Sequence, residues 1–88
     1  MATITLNEAN FEREVNESVL PVLVGFGTDI DSVNARMNGS YKCCKADSAL
    51  AKRCRVRKMP TLLLYRGGKV TDTIVGSLAA EQVVKILS

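Results

Sequence analysis

Val56-Arg57-Lys58-Met59-Pro60-Thr61-Leu62-Leu63-Leu64-Tyr65, followed at once by Arg66-Gly67-Gly68-Lys69, is the stretch from which the rest of this 88-residue chain can be placed. Thr61 to Tyr65 carry no charge and favour extended backbone, which predicts a central strand buried on both faces rather than an edge. Pro60 has no N–H to give to a ladder, so it marks the strand's first residue and the end of the loop before it. Gly67-Gly68 then supplies a two-residue turn into a second strand, Val70 to Val75.

Upstream, Pro21 to Phe26 is apolar throughout and reads as another strand buried on both faces, while Thr3 to Leu6 alternates as a first strand. Asn7 is a fair cap for a helix from Glu8 to about Ser18. Phe11, Val15 and Leu20 would face the sheet, and Glu8, Glu12 and Glu14 water. Only fourteen residues separate Phe26 from the next strand, Tyr41 to Ala46. Asp29 or Asp31 can cap a helix that ends near Asn38, with Gly39 as a left-handed stop. Eight helical residues rise about 12 Å, against about 17 to 20 Å for a strand of five or six, so this helix covers only part of its sheet face. Asp47 or Ser48 caps a short helix from Ala49 to about Cys54, and Ser77 caps a closing helix from Leu78 to Leu87. Leu78, Val83, Val84, Ile86 and Leu87 supply its apolar stripe. The order βαβαβαββα over 1–88 is an α/β class, read as one domain.

Apolar residues are 47% of the chain and charged residues 24%, the composition of a folded domain rather than a disordered one. No apolar run approaches the roughly 20 residues of a bilayer span, and the start lacks a signal-peptide pattern, so no membrane partner and a cytoplasmic location are the expectations. The net charge of +3 conceals an asymmetry. Residues 1–41 carry two basic and six acidic side chains, and residues 42–88 carry ten basic and three acidic. Five of the seven residues from Lys52 to Lys58 are cationic.

The chain has three cysteines, two of them adjacent, and no histidine. That is neither a disulfide framework nor a tetrahedral zinc set, and no glycine pattern cradles a phosphate, so no metal and no cofactor are expected. Neighbours on a strand point to opposite faces, which makes Cys43 and Cys44 small apolar core residues. Cys54 lies between Arg53 and Arg55, where cations favour a thiolate if the thiol is exposed. With only Tyr41 and Tyr65 able to stack bases, and Tyr65 on a buried strand, nucleic acid is not an expected partner.

The proline that opens this strand, with Met59 before it and Thr61 after, resembles the cis-proline segment of the thioredoxin family. Ala2-Thr3-Ile4-Thr5-Leu6, Ala9-Asn10-Phe11, Pro21-Val22-Leu23-Val24-Gly25-Phe26, Gly68-Lys69-Val70 and Ile74-Val75-Gly76 also look like family segments, in order. The resemblance implies a mixed five-stranded thioredoxin-like sheet, a role in redox homeostasis, and a peptide groove at Met59, Pro60 and Thr61 with Arg55, Arg57 and Lys58 as its basic rim. Two departures bear on activity. The family's Trp-Cys-Gly-Pro-Cys segment should follow Phe26, but Asp31-Ser32-Val33-Asn34 stand there, and Gly25 stands where the family commonly has a buried aspartate. The chain is also roughly fifteen residues short between Phe26 and Pro60, mostly in the helix between strands two and three.

Two functions follow as expectations. The first is a degenerate, redox-inactive module that binds a protein or an acidic peptide in the cis-proline groove. The second is an atypical monothiol redox protein using Cys54 or Cys44. A shortened scaffold, natural or a deletion product, further predicts an uncovered apolar face and self-association.

Overall fold

The structure, a computed structural model, describes residues 2–87, and in it the strand after Pro60 runs inside the sheet with a neighbour on each side. The strands are β1 (Ile4–Thr5), β2 (Val22–Phe26), β3 (Lys42–Ala46), β4 (Thr61–Arg66) and β5 (Lys69–Val75), in the spatial order β1-β3-β2-β4-β5. β3 lies parallel to both β1 and β2, whereas β4 is antiparallel to β2 and β5. Every residue of β2 is buried, and so is β4 up to Tyr65, as a strand with cover on both faces requires. Gly67 and Gly68 both have positive φ, +60° and +80°, the conformation a two-residue turn between twisted strands demands.

The helices are α1 (Ile30–Met37), α2 (Ser48–Arg53) and α3 (Ala80–Leu87). α1 and α3 cover one face, where Ile30, Val33, Met37 and Val83 pack on Leu23, Cys43, Leu62 and Leu64. On the other face Phe11, Val15, Leu50 and Ala51 pack on Val22, Val24, Phe26, Cys44, Leu63 and Tyr65. Asp29 caps α1, and the helix stops in left-handed residues, Asn38 at φ +51° and then Gly39 at +78°. Asp47 caps α2 through the Leu50 N–H. The crossover helix has eight residues, as short as its caps predict.

Three expectations need correction. The first helix is only partly regular. Asn7 Oδ1 does accept the Asn10 N–H at 2.9 Å, but Glu12–Asn16 form a π turn in which the Glu17 N–H reaches back to the Glu12 carbonyl. Lys42, on β3, holds this turn against the sheet: its Nζ donates to the Glu14 carbonyl at 3.0 Å and pairs with Glu14 Oε1 at 3.3 Å. Glu14 is therefore half-buried against the sheet and does not face water. Tyr41 precedes β3, its hydroxyl donating to the Leu87 carbonyl. The last helix begins at Ala80, leaving Ser77 and Leu78 in the preceding loop, and Ile86 is 56% exposed.

Candidate functional site

Pro60 sits where three chain segments meet. The Met59–Pro60 peptide is cis, and the Pro60 carbonyl accepts the Gly76 N–H at 2.9 Å, tying the start of β4 to the end of β5. Gly27, Thr28 and Asp29, between β2 and α1, complete with Gly76, Ser77 and Leu78 a cleft of about 190 Å3 beside Pro60. Gly27 has φ +70°, a left-handed backbone that favours glycine, and it lies against the loop, where a Cβ would make ordinary contact 3.5 Å from Met59 Cβ and 3.7 Å from Pro60 Cα. Asp29 is occupied as the cap of α1: it accepts the Ser32 N–H at 3.3 Å and the Ser32 hydroxyl at 2.6 Å. Met59 is half-exposed, and among the described residues its backbone N–H and C=O have no hydrogen-bond partner.

A larger groove, of about 350 Å3, lies on the opposite face of the sheet. Its floor is Val56 and Leu63 with Val70 and Val75 of β5, and Arg55, Arg57 and Lys58 line its rim. The chain is delivered there by the end of α2. The Val56 N–H bonds to the Ala51 carbonyl and the Arg55 N–H to the Lys52 carbonyl, a Schellman ending whose left-handed position is filled by Arg55 at φ +60° rather than by glycine. None of the three cations lines the cleft at Pro60, so the expected single groove with a basic rim is two surfaces. The physical reason is the turn into β4. Thr61 Oγ1 donates to the Lys58 carbonyl at 2.6 Å, folding the basic loop over the face onto which Thr61 and Leu63 project, while Pro60 turns toward the start of α1. Thr61, expected at the peptide groove, lines the basic one, and its carbonyl accepts from Thr28 Oγ1 at 3.5 Å.

The thiols are apart in kind as well as place. Cys43 and Cys44 are 1% and 0% exposed and belong to the cores of opposite faces, as the strand alternation predicts. Burial pushes the Cys43 thiol up to about 11 and that of Cys44 to about 12, so neither is a nucleophile at neutral pH, and Cys44 drops out as a redox candidate. Cys54 is half-buried at the C-terminus of α2, where the Tyr65 hydroxyl donates to its Sγ at 3.5 Å. All three are free cysteines. The first turn of α1 holds Asp31 instead, which accepts from the Thr3 hydroxyl at 2.6 Å and pairs with Lys45 at 3.3 Å. The Thr3 hydroxyl and then Lys45 hold its carboxyl below the ordinary value. Gly25 is buried under this turn, with Ile30 Cβ 3.3 Å from where its own Cβ would be.

Arg53 is not part of the rim, because its guanidinium lies over the Phe11 ring at 4.6 Å. Among the described residues no three histidine, cysteine, aspartate or glutamate side chains gather as a metal set, and no helix is long and apolar enough to cross a membrane. Sequence reasoning missed Gly27, Thr28 and Gly76 at the cleft. A glycine after each of two strands was the one available signal, and it marks turns as often as sites.

No family model matches the chain. It is 28% identical to the thioredoxin of Synechocystis sp. over 88% of its own length and 86% of that protein. It is also 28% identical to a Pseudomonas aeruginosa thioredoxin, with 96% and 92% covered, and 24% identical to one from Pyropia yezoensis. The last alignment takes in all 88 residues here but extends over 103 positions, so fifteen of them have no counterpart in this chain. The sheet order, the cis-proline that opens β4 and this set of relatives give the chain a thioredoxin-like α/β fold and make it similar to thioredoxins over most of its length.

Proposed function

We propose that this protein is a thioredoxin-like interaction module that does not carry out dithiol exchange and that holds an extended peptide segment at Met59 and Pro60. The observation that carries the reading is the placement of the thiols. Exchange needs an accessible thiolate with a second thiol close enough to resolve the mixed disulfide. Here two thiols are buried on opposite sides of the sheet and the third stands at the end of α2. Asp29, Asp31 and Ser32 form the start of α1, where the family resemblance leads one to look for cysteines, and Gly25 supplies no proton-transfer group beneath it. The fifteen-position deficit against the Pyropia protein fits a trimmed scaffold.

What supports peptide binding is the unpaired backbone of Met59 beside an open cleft, since an extended segment gains affinity from main-chain hydrogen bonds. Three free thiols suit a reducing compartment such as the cytoplasm. A second reading, a monothiol redox protein, draws on the half-burial of Cys54 beside Arg55.

An insulin-reduction assay with dithiothreitol separates the two. The interaction module leaves the rate at the uncatalysed value; turnover above it that disappears in Cys54→Ser establishes the monothiol reading instead. Amide shifts on adding extended peptides should appear at Thr28, Met59 and Gly76, and their absence with a diverse peptide set removes the groove from the proposal.

A further inference from the structure

The groove under the basic loop is not accounted for by the function proposed above. It combines three features. Its rim carries Arg55, Arg57 and Lys58, all exposed, and among the described residues none of them pairs with a carboxylate. Its floor is aliphatic and only half covered, with Val70 48% and Val75 56% exposed. Its outer wall is β5, a seven-residue strand at the end of the sheet whose far edge no described strand pairs. Backbone donors and acceptors along that edge point away from β4, free to extend the ladder.

We propose that the groove and the β5 edge together form a second binding site, for an extended peptide in which acidic residues accompany apolar ones. Added as a sixth strand, such a segment would complete the main-chain ladder of Lys69–Val75. Its apolar side chains would cover Val70 and Val75, and its carboxylates would reach the loop from Arg55 to Lys58. A second copy of this chain is the poorer occupant, because edge-to-edge pairing sets each basic loop and Lys69 against a like-charged neighbour. Arg55 supports a binding role for the loop. It holds a left-handed backbone that glycine would adopt without strain, and what an arginine offers there that a glycine does not is its charge at the rim. This site stands or falls independently of the cleft at Met59 and Pro60, from which its residues are distinct.

The test uses the isotopically labelled chain and two synthetic peptides, one alternating glutamate with valine and one with lysine in place of each glutamate. With the acidic peptide, saturable amide shifts are expected across Lys69–Val75 and Cys54–Lys58, weakening as salt is raised. Replacing Arg55→Gly, Arg57→Gln and Lys58→Gln together should raise its Kd about tenfold. Arg55→Gly alone relieves backbone strain, so a loss of affinity in that variant cannot be laid to misfolding, and retained amide dispersion verifies it. Equal affinity for the lysine peptide overturns the proposal. So do shifts confined to Thr28, Met59 and Gly76, which would assign the binding to the other cleft. Saturation of the groove residues by decanoate but not by the peptide would mark a small-amphiphile pocket and likewise end it.

Discussion

The cleft at Pro60 and the groove below Arg55, Arg57 and Lys58 are fed by one short loop, yet one is walled by backbone turns and small residues and the other by valines, a leucine and cations. The cleft owes its shape to main chain: a cis peptide, Gly27 at positive φ, and the Pro60 carbonyl bound to Gly76. The groove owes its shape to side chains, in that the buried Leu63, packed with α2 and the π turn, closes its inner side while Val70 and Val75 of β5 stand half-exposed beyond it. Position along the chain therefore says little about which surface a residue serves. One turn of loop at the mouth of a strand places Pro60 and Thr61 on different surfaces.

The largest expected asymmetry is in stability. Leu63 is 4% exposed and serves both as groove floor and as core, contacting the cluster built on Val24, Phe26 and Phe11. Leu63→Ala should cost roughly 2–5 kcal/mol in urea unfolding, whereas Met59→Ala, at a half-exposed site of the other surface, should stay within about 0.5 kcal/mol. Equal losses at the two positions would contradict the division into a side-chain-built groove and a backbone-built cleft.

Alkaline pH probes the core shared by the two surfaces. The buried thiols titrate at about 11 for Cys43 and about 12 for Cys44 in the folded chain, against 9.0 ordinarily. Raised folded values mean that the native state keeps protons the unfolded chain has released. Their contribution is complete below pH 9 and declines as pH rises toward 11 and 12. Tyr65, raised first by burial and then by its bond to Cys54, adds to the decline above pH 10. Under reducing conditions, the urea midpoint should therefore fall between pH 8.5 and 10.5, and fall less steeply in the double variant Cys43→Ala, Cys44→Ala. Parallel curves for the two proteins would show the thiols to be solvated.

Asp29 gives a smaller effect that belongs to one surface alone. As the cap of α1 and a wall of the Pro60 cleft, it should cost about 1 kcal/mol when changed to alanine. Amide shifts in Asp29→Ala should reach Thr28 and Gly76 and spare Arg55 to Lys58. Perturbation of the basic loop would mean that the two surfaces are coupled.

Much of this was legible in the sequence, because the signals were local and stereochemical. Pro60 and Gly67-Gly68 bracket β4 whatever packs around it, Asp29 and Asp47 cap the helices that follow them, and adjacency on a strand sends Cys43 and Cys44 to opposite faces. What escaped was set at a distance. The Glu14 carbonyl of the π turn is met by Lys42, 28 residues away, while α3 starts at Ala80, leaving Leu78 in the loop, and turns Ile86 away from the face it buries. The site was misread for the same reason. Arg57 and Lys58 adjoin Met59 in the chain, and contiguity suggested one rim where the turn held by Thr61 and Lys58 makes two surfaces. Arg55 gave no hint of a left-handed residue, since a helix stop is read from glycine or asparagine.

Arg55 is also where the comparison can be made finest, because the expected change is small and of opposite sign to the others. A left-handed backbone costs a residue with a Cβ about 1–2 kcal/mol more than it costs glycine, while glycine's extra freedom in the unfolded chain returns part of that. Arg55→Gly should therefore stabilise the fold by at most about 1 kcal/mol, read as a higher urea midpoint at unchanged slope. Arg57→Gly, two positions on, escapes no such strain and should be neutral or destabilising. If Arg55→Gly is instead the more destabilising of the two, the arginine side chain is a structural brace of the α2 ending, and the basic rim has a folding role rather than a ligand to meet.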